Sequence, residues 1–212
     1  MAYLDFISLI HKSTTRDYVA RVTEYPKAKA AEKAKTWGYD YWDGDRRWGY
    51  GGMTYDGRWL KVAKAMAQHY GIKPGDKILD IGCGKGFLMH DFTLAVPGVE
   101  VFGLDVSEYA KTHSKEEIRE SITIGNASKL PWDNDYFDFV VSINTLHNLS
   151  NYDLDSALRE IQRVGKERKY LCVESYRNEN EKANLLYWQL TCESFCSPKE
   201  WEWWFDKTGY SG

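Results

Sequence analysis

A chain of 212 residues, 43% apolar and 28% charged, is long enough for one well-buried α/β domain and short for two. Its net charge of −3, from 28 basic and 31 acidic residues with no basic tract, argues against duplex DNA or RNA as the main partner, because phosphate contacts need clustered Lys and Arg. No run approaches the roughly 18 apolar residues that a bilayer span requires, so no membrane partner is expected.

The opening Met1–Ile10 has no basic leader and carries Asp5 inside its apolar stretch. It is read as a short amphipathic segment, and the protein is expected to be cytoplasmic. Helix formers from Lys27 to Trp37 predict a helix that stops at Gly38. Residues 38–58 are rich in glycine and aromatics and predict an ordered loop. Trp59, Val62, Ala63, Met66 and Ala67 fall at helical spacing, with Asp56 as N-cap and Gly71 as terminator.

From residue 77 the pattern changes to strands alternating with helices. Strands are predicted at Lys77–Ile81, Val99–Leu104, Ser121–Ile124, Phe137–Ile143 and Tyr170–Val173. Between them lie a helix running to Leu94, a short one capped by Ser107, and one capped by Asp153 or Asp155 that aligns Leu158, Ile161 and Val164. Helices near 181–190 and 198–208 follow. Such alternation predicts a Rossmann-like, doubly wound, mostly parallel α/β sheet. Residues 1–70 form a helical and aromatic-loop extension on the lid or acceptor side of the same domain, and 71–212 form the core.

The four cysteines are Cys83 in a glycine turn, Cys172 in a strand, and Cys192 and Cys196, which on a helix would share one face. One isolated pair without histidine partners predicts reduced thiols and no metal.

The strongest chemical signal is Asp80-Ile81-Gly82-Cys83-Gly84-Lys85-Gly86, where a strand runs through alternating glycines into a helix. Glycine lets a ligand approach the backbone, and the helix start presents free N–H groups. Dinucleotide sites space these glycines G-x-G-x-x-G. The G-x-G-x-G spacing here, preceded by an acid, suits a cationic ligand such as S-adenosylmethionine and argues against a nicotinamide-dependent oxidoreductase. Asp105 ends the second strand, where an acid either reaches ribose hydroxyls or faces the dipole of the next helix. Three more blocks follow: Gly125-Asn126-Ala127, Asp135–Val141 leading to Asn144–Leu149, and Ala157–Val164.

These blocks, in this order over residues 70–175, resemble the class I S-adenosylmethionine-dependent methyltransferases that act on small molecules. The resemblance implies a seven-stranded, mostly parallel sheet. It implies a donor site with Asp80 at the ammonium, Gly82, Cys83 and Gly84 along the donor, Asp105 on the ribose and Val106 on the adenine. Asn126 and Ala127 would flank the adenine edge, and Asn144 would lie near the methionine part. Three departures stand out. Asn126 replaces the usual Asp. Gly165–Lys169 stands where a proline-glycine-glycine turn is usual. Thr208–Gly212 falls where the family's final antiparallel hairpin begins, leaving either a sheet short at one edge or strands outside this sequence.

His147 after strand four is a candidate general base or a packing histidine, and Glu174 after strand five is a second base candidate. Trp42 and Tyr50 in the aromatic loop, Arg58, and Tyr176 and Arg177 after strand five are candidate acceptor-binding residues. Arg46, Arg47 and Arg58 either bind a phosphate on the acceptor or pair with Asp40, Asp43 and Asp45. The whole chain also resembles methyltransferases of bacterial surface-polysaccharide modification. That implies methylation of an oxygen on a sugar, a nucleotide-linked sugar or a phosphorylated capsule precursor. A catalytically silent donor-binding module is the alternative.

Overall fold

All five predicted strands form one parallel sheet in the computed structural model, which describes residues 3–11 and 17–212. Met1 and Ala2 of the expected amphipathic opening, and residues 12–16 of the expected N-terminal extension, lie outside the described residues. The strands are β1 (Lys77–Ile81), β2 (Glu100–Asp105), β3 (Ile122–Ile124), β4 (Phe137–Ile143) and β5 (Gly165–Cys172). Their order is β3-β2-β1-β4-β5, and every pairing is parallel. β1 and β4 are mostly apolar and mostly buried because helices cover both faces of the sheet, with Asp80 and Ser142 as buried polar exceptions. The strand order reverses between β1 and β4, and in such sheets ligands bind in the crevice beyond the carboxyl ends at that point.

Alternating side chains split the core in two. On one face Ile78, Phe139 and Val141 meet Val62 and Met66 of α4 (Leu60–Tyr70) and Leu88, Met89 and Phe92 of α5 (Phe87–Ala95). On the other, Leu79, Ile81 and Val140 meet Leu154, Leu158 and Ile161 of α7 (Asn151–Val164) and Trp201 and Trp204 of α9 (Pro198–Thr208). The remaining helices are α1 (Ala20–Thr23), α2 (Lys27–Ala34), α3 (Tyr39–Trp42), α6 (Glu108–Thr112) and α8 (Glu179–Trp188). No described helix is long and apolar enough to cross a membrane.

Several local expectations shift. The sheet has five strands among the described residues, against the seven that the resemblance implies. β5 begins at Gly165, five residues before the expected start, because pairing with β4 draws the charged run Lys166–Lys169 into an outer strand. Lys166 and Glu167 are exposed on this outer strand, whereas Lys169 is buried and its ammonium donates to Lys166 O. α2 ends at Ala34, and Trp37 turns the chain with φ +51°. Asp56 does not cap α4; its carboxylate accepts from Arg58 N–H at 3.1 Å, and the helix starts at Leu60. Ser150, rather than Asp153 or Asp155, caps α7, its hydroxyl accepting from Asp153 N–H. Asp155 instead pairs with Arg159 and Lys207. Cys192 and Cys196 lie in irregular chain between α8 and α9, so they share no helix face, and both are buried free thiols. No metal-ligating cluster occurs among the described residues.

Candidate active site

The glycine turn is fastened to the end of β2. Gly82 and Cys83 both donate their N–H to Leu104 O, at 2.7 and 3.2 Å. Gly82 (φ +74°) and Gly84 (φ +54°) sit in left-handed backbone that other residues rarely adopt. Each also lacks room for a side chain: Thr145 packs over Gly82, and Trp42 over Gly84. The Cys83 thiol turns away beside Gly103 and Met89, and burial raises its pKa well above the ordinary thiol range. The thiol also donates to Gly84 O at 3.8 Å, so the Cys83 side chain packs within the turn.

Asp105 ends β2 at 8% exposure. Its carboxylate accepts from Gly84 N–H at 2.7 Å and Ser107 N–H at 2.8 Å. Burial nevertheless holds the carboxyl above its ordinary range. A carboxylate has about four lone-pair sites, so it keeps acceptor capacity for hydroxyls. Asp80 is 4% exposed, and its carboxyl makes no hydrogen bond among the described residues. Burial, reinforced by the charge of Asp105, pushes its carboxyl up to about 7. A buried carboxyl without a partner is costly, and a cation beside it would remove that cost. Beyond β2, Val106 leaves an apolar side chain 46% exposed. Asn126 is exposed and closes a local turn by accepting from Ser128 N–H at 2.9 Å, whereas Ala127 is buried in the core. The orphaned Asp80, the glycine cradle and exposed Val106 fit a cationic adenosyl donor; Ala127 and the Cys83 thiol contribute packing.

The aromatic loop lies across this turn as a strap. Lys85, inside the turn, places Nζ 2.8 and 2.7 Å from the two Asp43 oxygens and 2.8 Å from Met53 O. Tyr109 donates to the same carboxylate at 2.8 Å. Trp42 donates Nε1–H to Trp37 O at 3.0 Å and Ser107 Oγ at 2.9 Å, and Tyr50 stacks on it at 5.5 Å. Trp42 therefore roofs the glycine turn and does not line an acceptor cavity, correcting the expectation. Its indole N–H finds two buried acceptors there, which an open cavity wall would not supply.

Beside the roof is a cavity of about 510 Å³. Tyr41, Tyr50 and Trp59 of the strap line it, with Asn144, His147 and Asn148 after β4, Glu174 after β5, and Trp188 and Gln189 near α8. Asn144 holds φ +56° at the strand end. His147 is 2% exposed, and its Nδ1 accepts from Glu174 N–H at 3.2 Å. Burial lowers its pKa to about 4, so the ring is neutral and its proton sits on Nε2. Of the two expectations for this histidine, base or packing group, the structure shows a buried neutral ring whose Nδ1 accepts from the backbone and whose Nε2–H is a hydrogen-bond donor. The Glu174 carboxylate accepts from the Gln189 side chain, and Trp201 Nε1 donates to Glu174 O at 3.1 Å.

Arg58 borders the cavity with its guanidinium tied to Asp56 at 2.7 Å. Tyr176 and Arg177 do not line it. Arg177 forms a two-pronged pair with Glu181 four residues on, and Tyr176 faces Glu200. The nearby acids of α8 and α9 capture them, as i,i+4 spacing favours. Arg46, one of the three arginines expected either to bind a phosphate or to pair with an acid, also borders it, whereas sequence reasoning missed Tyr41, which neighbours Trp42 but points to the cavity, and Arg21. Arg21 carries no local signal; only the packing of α1 brings it there.

A family model described as a methyltransferase domain matches residues 72–209. The demethylmenaquinone methyltransferase of Symbiobacterium thermophilum is 30% identical over 128 residues, covering 56% of this chain and 50% of that protein. The 24-methylenesterol C-methyltransferase 3 of Arabidopsis thaliana is 32% identical over 121 residues, covering 52% of this chain and 33% of that protein. The chain thus spans half or less of the length of these curated relatives. The solved structure of YcgJ from Bacillus subtilis superposes with a TM-score of 0.58 at 22% identity, covering 69% of this chain and 66% of the other, which shows a shared fold.

Proposed function

This chain belongs to the methyltransferase-domain family, and from that premise we propose that it binds S-adenosylmethionine at the glycine turn and methylates an oxygen of a small polar acceptor in the strap cavity. The observation that carries the reading is Asp80: a buried carboxyl with no hydrogen bond among the described residues, at the carboxyl end of the central strand, beside left-handed glycines. Asp80 would hold the donor's ammonium, Asp105 its ribose hydroxyls and Val106 its adenine. Bound there, the donor supplies a methyl group on a sulfonium, open to in-line displacement. Glu174 would take the proton from the acceptor hydroxyl, and His147 Nε2–H would orient the acceptor oxygen. The strap would exclude water from both.

Two named relatives act on a quinone precursor and a sterol, so the acceptor is argued from this cavity alone. Aromatic walls carrying hydroxyls, amides and guanidiniums suit a sugar, a nucleotide-linked sugar or a phosphorylated surface-polysaccharide precursor. The net charge of −3 supports a small molecule over a nucleic acid. Calorimetric titration with S-adenosylhomocysteine tests the donor assignment. One-to-one binding is expected, weakened by about 1–3 kcal/mol in Asp105→Ala. No binding to the unaltered protein would overturn the reading.

A further inference from the structure

We infer that the acceptor carries an oxyanion, a phosphate or carboxylate group, gripped by Arg46 with Arg21 beside it; this rests on reading the strap cavity as the acceptor site. Three arginines stand in the strap, and the structure separates them. Arg47 is spent on Asp45, with Nε–H···Oδ1 at 3.0 Å and a second prong at 2.8 Å. Arg58 is spent on Asp56. Arg46 is held differently. One of its terminal nitrogens donates to Gly49 O at 3.3 Å and Tyr50 O at 2.7 Å, which fixes the plane of the guanidinium without neutralising it. Its Nε and its other terminal nitrogen make no hydrogen bond or ion pair among the described residues.

A second guanidinium stands next to it. Arg21 donates to Arg46 O at 3.3 Å. Both groups lie over the Trp188 ring, Arg21 at 5.3 Å and Arg46 at 5.7 Å from its centroid. All three residues line the cavity. Among the described residues, Asp56 on the cavity wall pairs with Arg58, and the Glu174 carboxylate accepts from Gln189. A planar guanidinium held on one edge offers its remaining fork to the parallel oxygens of a phosphate or carboxylate. Tyr41 and Tyr50 on the adjoining wall give a flat ring a place to lie beside that anion.

The test uses three probes that share one ring: phenyl phosphate, benzoate and phenol. Dissociation constants are measured by calorimetry for the full chain and for Arg46→Gln and Arg46→Lys. At least one anionic probe is expected to bind tenfold or more tighter than phenol, with an affinity that falls as salt is raised. The stronger of phenyl phosphate and benzoate identifies the group. Arg46→Gln is expected to bring the anion to within about threefold of phenol, and Arg46→Lys to recover part of the difference. The inference is overturned if phenol binds the unaltered protein as tightly as both anions, if none of the three binds, or if Arg46→Gln leaves the anion's affinity unchanged. S-adenosylhomocysteine binding is measured in parallel; its failure would remove the methyl-donor reading while leaving the anion result standing.

Discussion

The indole of Trp42 is seated on Gly84: a Cβ added to that glycine would stand 2.7 Å from Trp42 Cη2. The ring is held in place by Ser107, the residue whose N–H binds Asp105. Strap, glycine turn and the end of β2 thus form one mechanical unit. Gly84→Ala should cost about 2–4 kcal/mol, combining left-handed strain with overpacking against the ring. Urea denaturation measures the loss, and calorimetry should show S-adenosylhomocysteine binding weakened at least tenfold. An alanine variant as stable as the parent would mean that Trp42 does not sit there in solution.

Lys85 and Asp43 rivet the same unit from the other side, with side chains 5% and 23% exposed. Removing the lysine strands a half-buried carboxylate that Tyr109 alone cannot satisfy. Lys85→Met should therefore cost roughly 2–4 kcal/mol, somewhat below the figure for a fully buried pair. It should also open residues 43–53 to limited proteolysis. Replacing both partners, Lys85→Met with Asp43→Leu, should recover much of the stability. A double variant that simply adds the two losses would argue against direct pairing.

Asp80 and His147 give opposite pH dependences. The Asp80 carboxyl is raised to about 7. The fold then binds more protons than the unfolded chain between about pH 4 and 7, and stability falls as pH rises through that window. His147 is lowered to about 4. The unfolded chain then binds more protons between about 4 and 6.5, and stability is lost as pH falls through it. The two contributions, on the order of 4 and 3 kcal/mol, largely cancel in the native protein. Asp80→Asn should be more stable than the parent at pH 8 by up to about 4 kcal/mol, with stability that climbs with pH. His147→Gln should show stability that declines with pH. Denaturant titrations from pH 4.5 to 8 separate the three proteins; parallel curves would refute both assignments.

The tautomer of His147 can be observed directly. Nitrogen-15 spectra of histidine-labelled protein should show, for this residue, an unprotonated Nδ1 and a protonated Nε2 from pH 5.5 to 8. The hydrogen bond from Glu174 N–H at 3.2 Å requires it. A ring that gains a second proton near pH 6.5 would restore the general-base role and displace Glu174 from it.

Much of this molecule is written along the chain. β1 and β4 are buried on both faces, so apolar residues dominate them, and their predicted bounds match the structure. Asp80 and Asp105 are legible for the same reason: each falls at a fixed place in a strand that local pattern already locates. What tertiary structure alone decided is which side chain meets which. Trp42 finds Ser107 across 65 positions, Lys85 finds Asp43 across 42, and Arg21 reaches Arg46 across 25. Composition supplied the aromatics and arginines of the strap without saying which rings would roof the turn or which guanidinium would be left facing the cavity. Side-chain direction and the choice among competing ionic partners depend on desolvation in the folded molecule, and desolvation is not a local property of sequence.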